Sequence, residues 1–148
     1  MAGAVHTPAG GGARNDAFGL PRRIHVSGDA TTPSVWEEDV PEGAGPPRHI
    51  HTDATELFVV LRGRILFEAD GQPLEAGPGD TVLIPMGTVH AFKGLAPEGS
   101  VVLITLSPGG GDGFFTEASA KGIGPGSEQA EIEALGAKYG VDFVGPPL

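Results

Sequence analysis

Two short stretches decide the fold of this chain. Residues 43–63 read GAGPPRHIHTDATELFVVLRG, and residues 79–90 read GDTVLIPMGTVH. In both, glycines and prolines flank short apolar runs, a pattern typical of strands joined by tight turns. His49 and His51 are two positions apart, so on a strand their side chains project from the same face. The two stretches therefore predict β-structure with histidines on one face.

The same pattern extends outward from these stretches, from Arg22 to Ser107. Eight strands are predicted: Arg23–Ser27, Val35–Glu38, Arg48–His51, Glu56–Leu61, Ile65–Ala69, Thr81–Ile84, His90–Lys93 and Val101–Leu106. Eight short strands at near-regular spacing favour a barrel or a double-sheet jelly roll over alternating strands and helices. The chain is therefore predicted to be all-β.

Composition narrows the class of protein. A chain of 148 residues is long enough for one domain with a hydrophobic core. It contains no cysteine, which excludes disulfides, thiolate metal sites and cysteine nucleophiles. A net charge of −10 disfavours nucleic acid and anionic membranes as partners. No membrane-spanning run or signal peptide is visible, so the expected location is the cytoplasm.

Three regions are expected along the chain. Residues 1–18 are small and Gly-rich and are predicted to form a flexible arm, with exchange onto a partner subunit as the alternative. Residues 19–108 would form the barrel. Residues 109–148 would form a C-terminal loop and helices packed on it, with a short helix over Phe114–Lys121. A second helix is predicted over Ser127–Tyr139, with Ser127 as its N-cap and Gly140 just beyond its end.

Three histidines and one carboxylate stand out as a candidate metal site. Imidazole nitrogens with a carboxylate oxygen form a ligand set suited to a divalent first-row metal. The four residues are His49, His51, Glu56 and His90. His6 and His25 have no such neighbours in the sequence and are interpreted as incidental.

The motifs that contain these residues resemble those of the cupin family. The first reads Gly43-x5-His49-x-His51-x4-Glu56-x6-Gly63, and the second reads Gly79-x5-Pro85-x-Gly87-x2-His90. The family usually has Asn after the second motif, where this chain has Gly94. The resemblance implies a single jelly-roll β-barrel.

The resemblance also implies that His49, His51, Glu56 and His90 are the ligands of one divalent transition metal, which could be Fe, Ni, Co, Mn or Zn. Six-coordinate geometry would leave two positions open for substrate, or for substrate and dioxygen. The alternative is a metal-free cupin in which the histidines are core residues.

Six apolar residues can line the interior around the metal, although most of them are expected to be ordinary barrel core: Phe58, Val60, Phe67, Ile84, Phe92 and Ile104. Such a lining suits a small apolar or aromatic substrate. Arg48 and Arg62 are out of phase with the ligands, so no basic cluster is expected at the site. This argues against phosphosugar isomerases and nucleotide-sugar epimerases.

Both faces of the strand at Glu56–Leu61 are mainly apolar. One face can line the barrel, and the other needs a cover. The pattern therefore predicts a homodimer.

Three functions remain open. The tail from Ser107 to Pro147 is similar to that of small single-domain bacterial cupins, some of them quercetinase-like, and implies a dioxygenase acting on an enolisable, flavonol-like aromatic. Glu56 would then be both a ligand and the general base. The alternatives are a non-oxidative polyketide cyclase or isomerase and a non-catalytic small-molecule-binding cupin.

Overall fold

The computed structural model describes residues 3–148 and contains two facing antiparallel sheets. The strands are β1 (Ala13–Asn15), β2 (Arg22–Val26), β3 (Ser34–Val40), β4 (Arg48–His51), β5 (Thr55–Arg62), β6 (Ile65–Ala69), β7 (Gln72–Ala76), β8 (Thr81–Ile84), β9 (His90–Gly94), β10 (Ser100–Ser107) and β11 (Val141–Gly145). Six strands pair in the order β1-β2-β3-β10-β5-β8, and five in the order β11-β4-β9-β6-β7. The predicted all-β jelly roll is confirmed.

The core lies between the two sheets, where alternate residues of each strand point inward. β3 shows this most clearly, because every second residue from Ser34 to Val40 is buried. At one end, Phe58, Phe67 and Phe92 pack with ring centroids 5.0 to 6.0 Å apart. This aromatic group fills its part of the interior, and of its three members only Phe92 borders the cavity described below.

Two helices follow the strands: α1 (Gly113–Lys121) and α2 (Gln129–Lys138). The prediction of Ser127 as an N-cap is wrong. Ser127 Oγ instead accepts a hydrogen bond from the Gly124 amide, which closes a turn, and α2 begins two residues later. Gly140 follows Tyr139, the C-cap residue of α2, and has a φ of +72°, as its predicted position requires.

Asp112, immediately before α1, anchors the helical segment to the larger sheet. Its buried carboxylate accepts hydrogen bonds from the hydroxyls of Ser27 and Ser34 and from the Gly28 amide. Three donors on one buried carboxylate fix the start of α1 against the β2–β3 connection.

The structure differs from the flexible arm expected at residues 1–18 from residue 13 onward. β1 pairs with β2, and a 3₁₀ turn at Ala17–Gly19 follows it. Asn15 Nδ2 donates to the Phe115 carbonyl and to Ser119 Oγ of α1. These contacts hold the segment by backbone and polar bonds, which apolar periodicity does not reveal.

β7 and β11 are also absent from the strands predicted from the sequence, for separate reasons. Pro73 disfavours a strand, but it is tolerated in β7 because that strand lies at a sheet edge. β11 is a short run after a helix, and it becomes a strand by pairing with β4. Among residues 3–148, no helix is long and apolar enough to span a membrane.

Candidate metal centre

The four predicted ligands come from both sheets and meet at the open end of the interior. His49 and His51 lie on β4, and His90 lies on β9, directly opposite His49 in the strand register. Glu56 lies on β5 of the facing sheet. All four side chains are buried, and their ligand atoms lie within 4.8 Å of one another. The structure thus brings together all four predicted metal ligands.

Backbone carbonyls set the tautomer of two of the rings. His49 Nδ1 lies 2.8 Å from the Pro47 oxygen, and His90 Nδ1 lies 2.9 Å from the Thr88 oxygen. A carbonyl oxygen only accepts, so Nδ1 of each ring carries the proton. Nε2 of each ring therefore faces the cluster, and in the neutral imidazole it presents a lone pair, as a metal-ligating imidazole does.

The nitrogen and oxygen atoms that face one another inside the cluster are arranged to bind a cation. Nε2 of His51 and Nε2 of His90 each lie 2.9 Å from the same Glu56 oxygen, Oε2. The His51 Nε2 atom is buried and has no hydrogen-bond partner within residues 3–148. Lone pairs converging on a carboxylate oxygen repel one another unless a proton or a metal ion lies among them. The residues present therefore fit a divalent metal.

The electrostatics favour the metal-binding protonation states of His49 and Glu56, and without a metal they favour a proton between His90 and Glu56. Burial, with the neighbouring charge of His90, lowers the pKa of His49 to about 3, so this imidazole is neutral at physiological pH. Burial opposes ionisation of Glu56, but the charge of His51 and the contacts of both imidazoles outweigh it and hold the pKa of Glu56 below its usual range. Burial also lowers the pKa of His90, yet its hydrogen bond to Glu56 and the charge of that carboxylate raise it overall.

The glycines of the motifs occupy turns. Gly79 and Gly87 have φ values of +87° and +83°, and a Cβ at either position would meet no other atom. Glycine is therefore required there by the backbone conformation and not by lack of space. Gly94 stands where the family usually has Asn. A Cβ at Gly94 would lie 2.5 Å from the Pro41 oxygen, so no side chain fits in this chain.

A cavity of about 620 Å³ lies beside the cluster, within the range of small-molecule sites. Of the six residues predicted to line it, Phe92 and Ile104 do so. The other four belong to the filled core, as expected for most of the six: Phe58, Val60, Phe67 and Ile84. The cavity is lined instead by aromatic residues from the C-terminal segment, namely Phe114, Phe115 and Phe143.

A buried ion pair on the cavity wall is not among the residues predicted from the sequence. Arg22 on β2 and Glu38 on β3 both border the cavity, and Arg22 Nε donates to Glu38 Oε2 at 3.0 Å. Their signal is present in the sequence, because Glu38 lies in the inward phase of β3 between Trp36 and Val40. A charged residue in an inward phase points to a partner or a ligand.

The remaining basic residues and histidines lie elsewhere. Arg48 pairs with Glu68 at 2.8 Å, and His25 Nε2 lies 3.2 Å from Glu37. Neither residue borders the cavity, and the four-residue cluster includes neither His6 nor His25.

Comparison with known proteins agrees with this geometry. Residues 36–107 match the family model described as Cupin domain. An 81-residue segment is 33% identical to quercetin 2,3-dioxygenase of Bacillus subtilis, covering 55% of this chain and 24% of that protein. The chain spans between about a quarter and a half of the length of the first curated relatives it matches.

Two solved structures share the fold. KdgF from Halomonas sp. aligns with a TM-score of 0.56 and 26% identity, over 61% of this chain and 79% of that one. The cupin domain of Cnp3 from Schizosaccharomyces pombe aligns with a TM-score of 0.56 and 17% identity, over 72% of this chain and 74% of that one. The motifs, the two-sheet fold and the domain match agree that this chain is a member of the cupin superfamily.

Proposed function

We propose that the protein is a metal-dependent dioxygenase that acts on an enolisable, flavonol-like aromatic molecule. The observation that carries the proposal is the buried three-histidine, one-carboxylate cluster at the wall of a largely apolar cavity. The similarity to a quercetin 2,3-dioxygenase supports it. The site would hold one divalent ion, such as Fe, Ni, Co, Mn or Zn, and the cytoplasm remains the predicted location.

His49, His51, Glu56 and His90 would hold the ion. A bound divalent metal would supply Lewis acidity and a route for electron transfer between an enolate and dioxygen. Glu56 is the only carboxylate in the cluster, and its low pKa keeps it ionised at neutral pH. As an ionised carboxylate it would accept the hydroxyl proton of a substrate whose enol is made more acidic by the bound metal. The apolar wall would exclude water from the reacting enolate.

Oxygen uptake tests this function. We expect the metal-reconstituted protein to consume dioxygen when 3-hydroxyflavone is added, with both oxygen atoms appearing in the products under ¹⁸O₂. Flavone, which lacks the enolic hydroxyl, is the matched control and should give no uptake. Conversion of the substrate without dioxygen would instead favour the cyclase or isomerase. Metal-dependent binding with no conversion would favour a binding protein.

The proposed assembly is a homodimer formed through the outer face of the larger sheet. Leu57, Leu61 and Leu83 on β5 and β8 are 37%, 47% and 60% exposed, and Leu57 lies opposite Leu83 in the register. These leucines form an apolar patch at a sheet edge, which a second copy of the chain would cover.

Replacing Leu83 with Lys should separate the subunits, because the charge would be buried in the interface. Light scattering coupled to gel filtration should give twice the chain mass for the wild type and the chain mass for Leu83→Lys. Leu74→Lys is the control, since Leu74 is similarly exposed but lies on β7 of the other sheet. A monomeric wild type at micromolar concentration would contradict the dimer.

A further inference from the structure

The cavity has a second polar feature besides the metal cluster. Arg22 and Glu38 are 3% exposed and border the same cavity as His49, His51 and Glu56. Phe115 lies over the guanidinium, whose Cζ is 3.8 Å from the ring centroid. A buried ion pair on the wall of an apolar cavity is costly to desolvate, so any of its polar atoms that lacks a protein partner can gain free energy by bonding a ligand.

In the part of the chain that the structure describes, each residue of the pair has one polar atom without a side-chain hydrogen bond. Arg22 donates from Nε to Glu38 and from Nη1 to Asn15 Oδ1 and the Ala17 carbonyl. Glu38 accepts through Oε2 alone, from Arg22 and from Trp36 Nε1. Within residues 3–148, Arg22 Nη2 and Glu38 Oε1 make no side-chain hydrogen bond. The pair therefore offers one donor nitrogen, with its two N–H groups, and one acceptor oxygen to a ligand.

The strand register separates this pair from the metal cluster. Glu38 lies opposite Val102 of β10, whereas Glu56 lies opposite Leu106 on the other side of β10. Four residues along the strand and two strand spacings across correspond to roughly 16 Å between the backbones. Both side chains enter the cavity and shorten this distance, and the charge of Glu56 contributes to the raised pKa of Glu38, whose main cause is burial.

From this geometry we infer that the Arg22–Glu38 pair recognises a hydroxyl group of the substrate, remote from the end that binds the metal. A hydroxyl can donate to Glu38 Oε1 and accept from Arg22 Nη2, which satisfies both free atoms. An apolar aromatic body would lie between the two polar ends. This inference rests on the proposed function and adds a specificity determinant to it.

The experiment compares two probes that differ by one hydroxyl, 3-hydroxyflavone and 3,4′-dihydroxyflavone. Binding to the metal-reconstituted protein is measured without dioxygen by quenching of Trp36 fluorescence, which reports on the cavity because Trp36 is the single tryptophan and lines it. We expect the dihydroxylated probe to bind about tenfold or more tightly, since its added hydroxyl gains hydrogen bonds to charged groups.

The test variant is Arg22→Met/Glu38→Leu, which replaces both charges with apolar groups of similar size and leaves neither unpaired. The affinity ratio of the two probes should fall close to one, with the affinity for 3-hydroxyflavone retained. The control is Arg23→Met/Glu37→Leu, because that ion pair joins the next register position of the same strands outside the cavity. The control should keep the wild-type ratio.

A ratio near one in the wild type, or an unchanged ratio in the test variant, overturns the inference and leaves the proposed function standing. The wild-type comparison decides the matter even if the double variant does not fold. Equal weakening of both probes would show a purely structural role for the pair and also overturns it. If neither probe binds the metal-loaded wild type, the flavonol-like substrate class falls, and the inference falls with it.

Discussion

A His49→Ala variant should lose the metal almost completely, from about one divalent ion per chain to less than about a tenth. The substitution removes one of the four ligands whose donor atoms converge within 4.8 Å. It also removes the ring that Pro47 holds in the metal-binding tautomer. Changes to the outer partners of metal ligands already cost about 10–100-fold in affinity, so loss of a ligand itself should cost more.

Metal content after reconstitution and desalting is the first measurement, and thermal unfolding with and without added metal is the second. A ligand that binds only the folded state stabilises it by about 2.7 kcal/mol at 100 times its Kd. The wild type should therefore unfold at a higher temperature with metal, and His49→Ala should not respond.

His25→Ala is the matched control for this prediction. His25 is also a strand histidine beside a carboxylate, Glu37, but lies outside the cluster. This variant should keep the metal of the wild type. An empty wild type would contradict the metal centre and remove the basis of both enzymatic hypotheses.

The metal cluster could be predicted from the sequence because its ligands are identified by short motifs. His49 and His51 share a strand face through their spacing alone, and the motif resemblance supplies Glu56 and His90. Inward and outward alternation also locates the core strands. Each of these features depends on residues close together in the chain or on a recognised pattern.

The shape of the cavity could not be predicted in the same way, because it depends on contacts between distant segments. Phe58 and Phe92 belong to the same aromatic group in the interior, yet only Phe92 borders the cavity, a difference that alternation along the strands does not indicate. Phe143 reaches the cavity because β11 pairs with β4, which is about 90 residues earlier in the chain. No periodicity within β11 indicates that pairing.

The Arg22–Glu38 pair could be predicted in part from the sequence. Alternation along β3 places Glu38 inward from the sequence alone, but its partner becomes evident only when β2 and β3 are paired in register. A search for charged residues in the inward phase of predicted strands would have found Glu38. The contact of Arg22 with Phe115 depends on where α1 packs, which the strand pattern does not determine.

A Glu56→Gln variant should keep much of the metal and lose turnover by about 10²–10⁴-fold, the usual contribution of a general base. The side-chain amide keeps a carbonyl oxygen that can ligate, and it has nearly the same volume as the carboxylate. It cannot accept the substrate's hydroxyl proton, because a neutral amide is a very weak base. Oxygen uptake with 3-hydroxyflavone and the metal content of the same sample measure the two effects separately.

Comparing Glu56→Gln with His49→Ala distinguishes a base from a ligand. If Glu56 acts only by holding the ion, activity in Glu56→Gln should fall in proportion to its metal content, as expected for His49→Ala. If Glu56 also removes the proton, activity per bound metal should fall by about a hundredfold or more. The fall should be smaller for substrates with a more acidic enol, because they need less help in losing the proton. Turnover per metal equal to that of the wild type would rule out the base role, and Glu56 would then be a ligand alone.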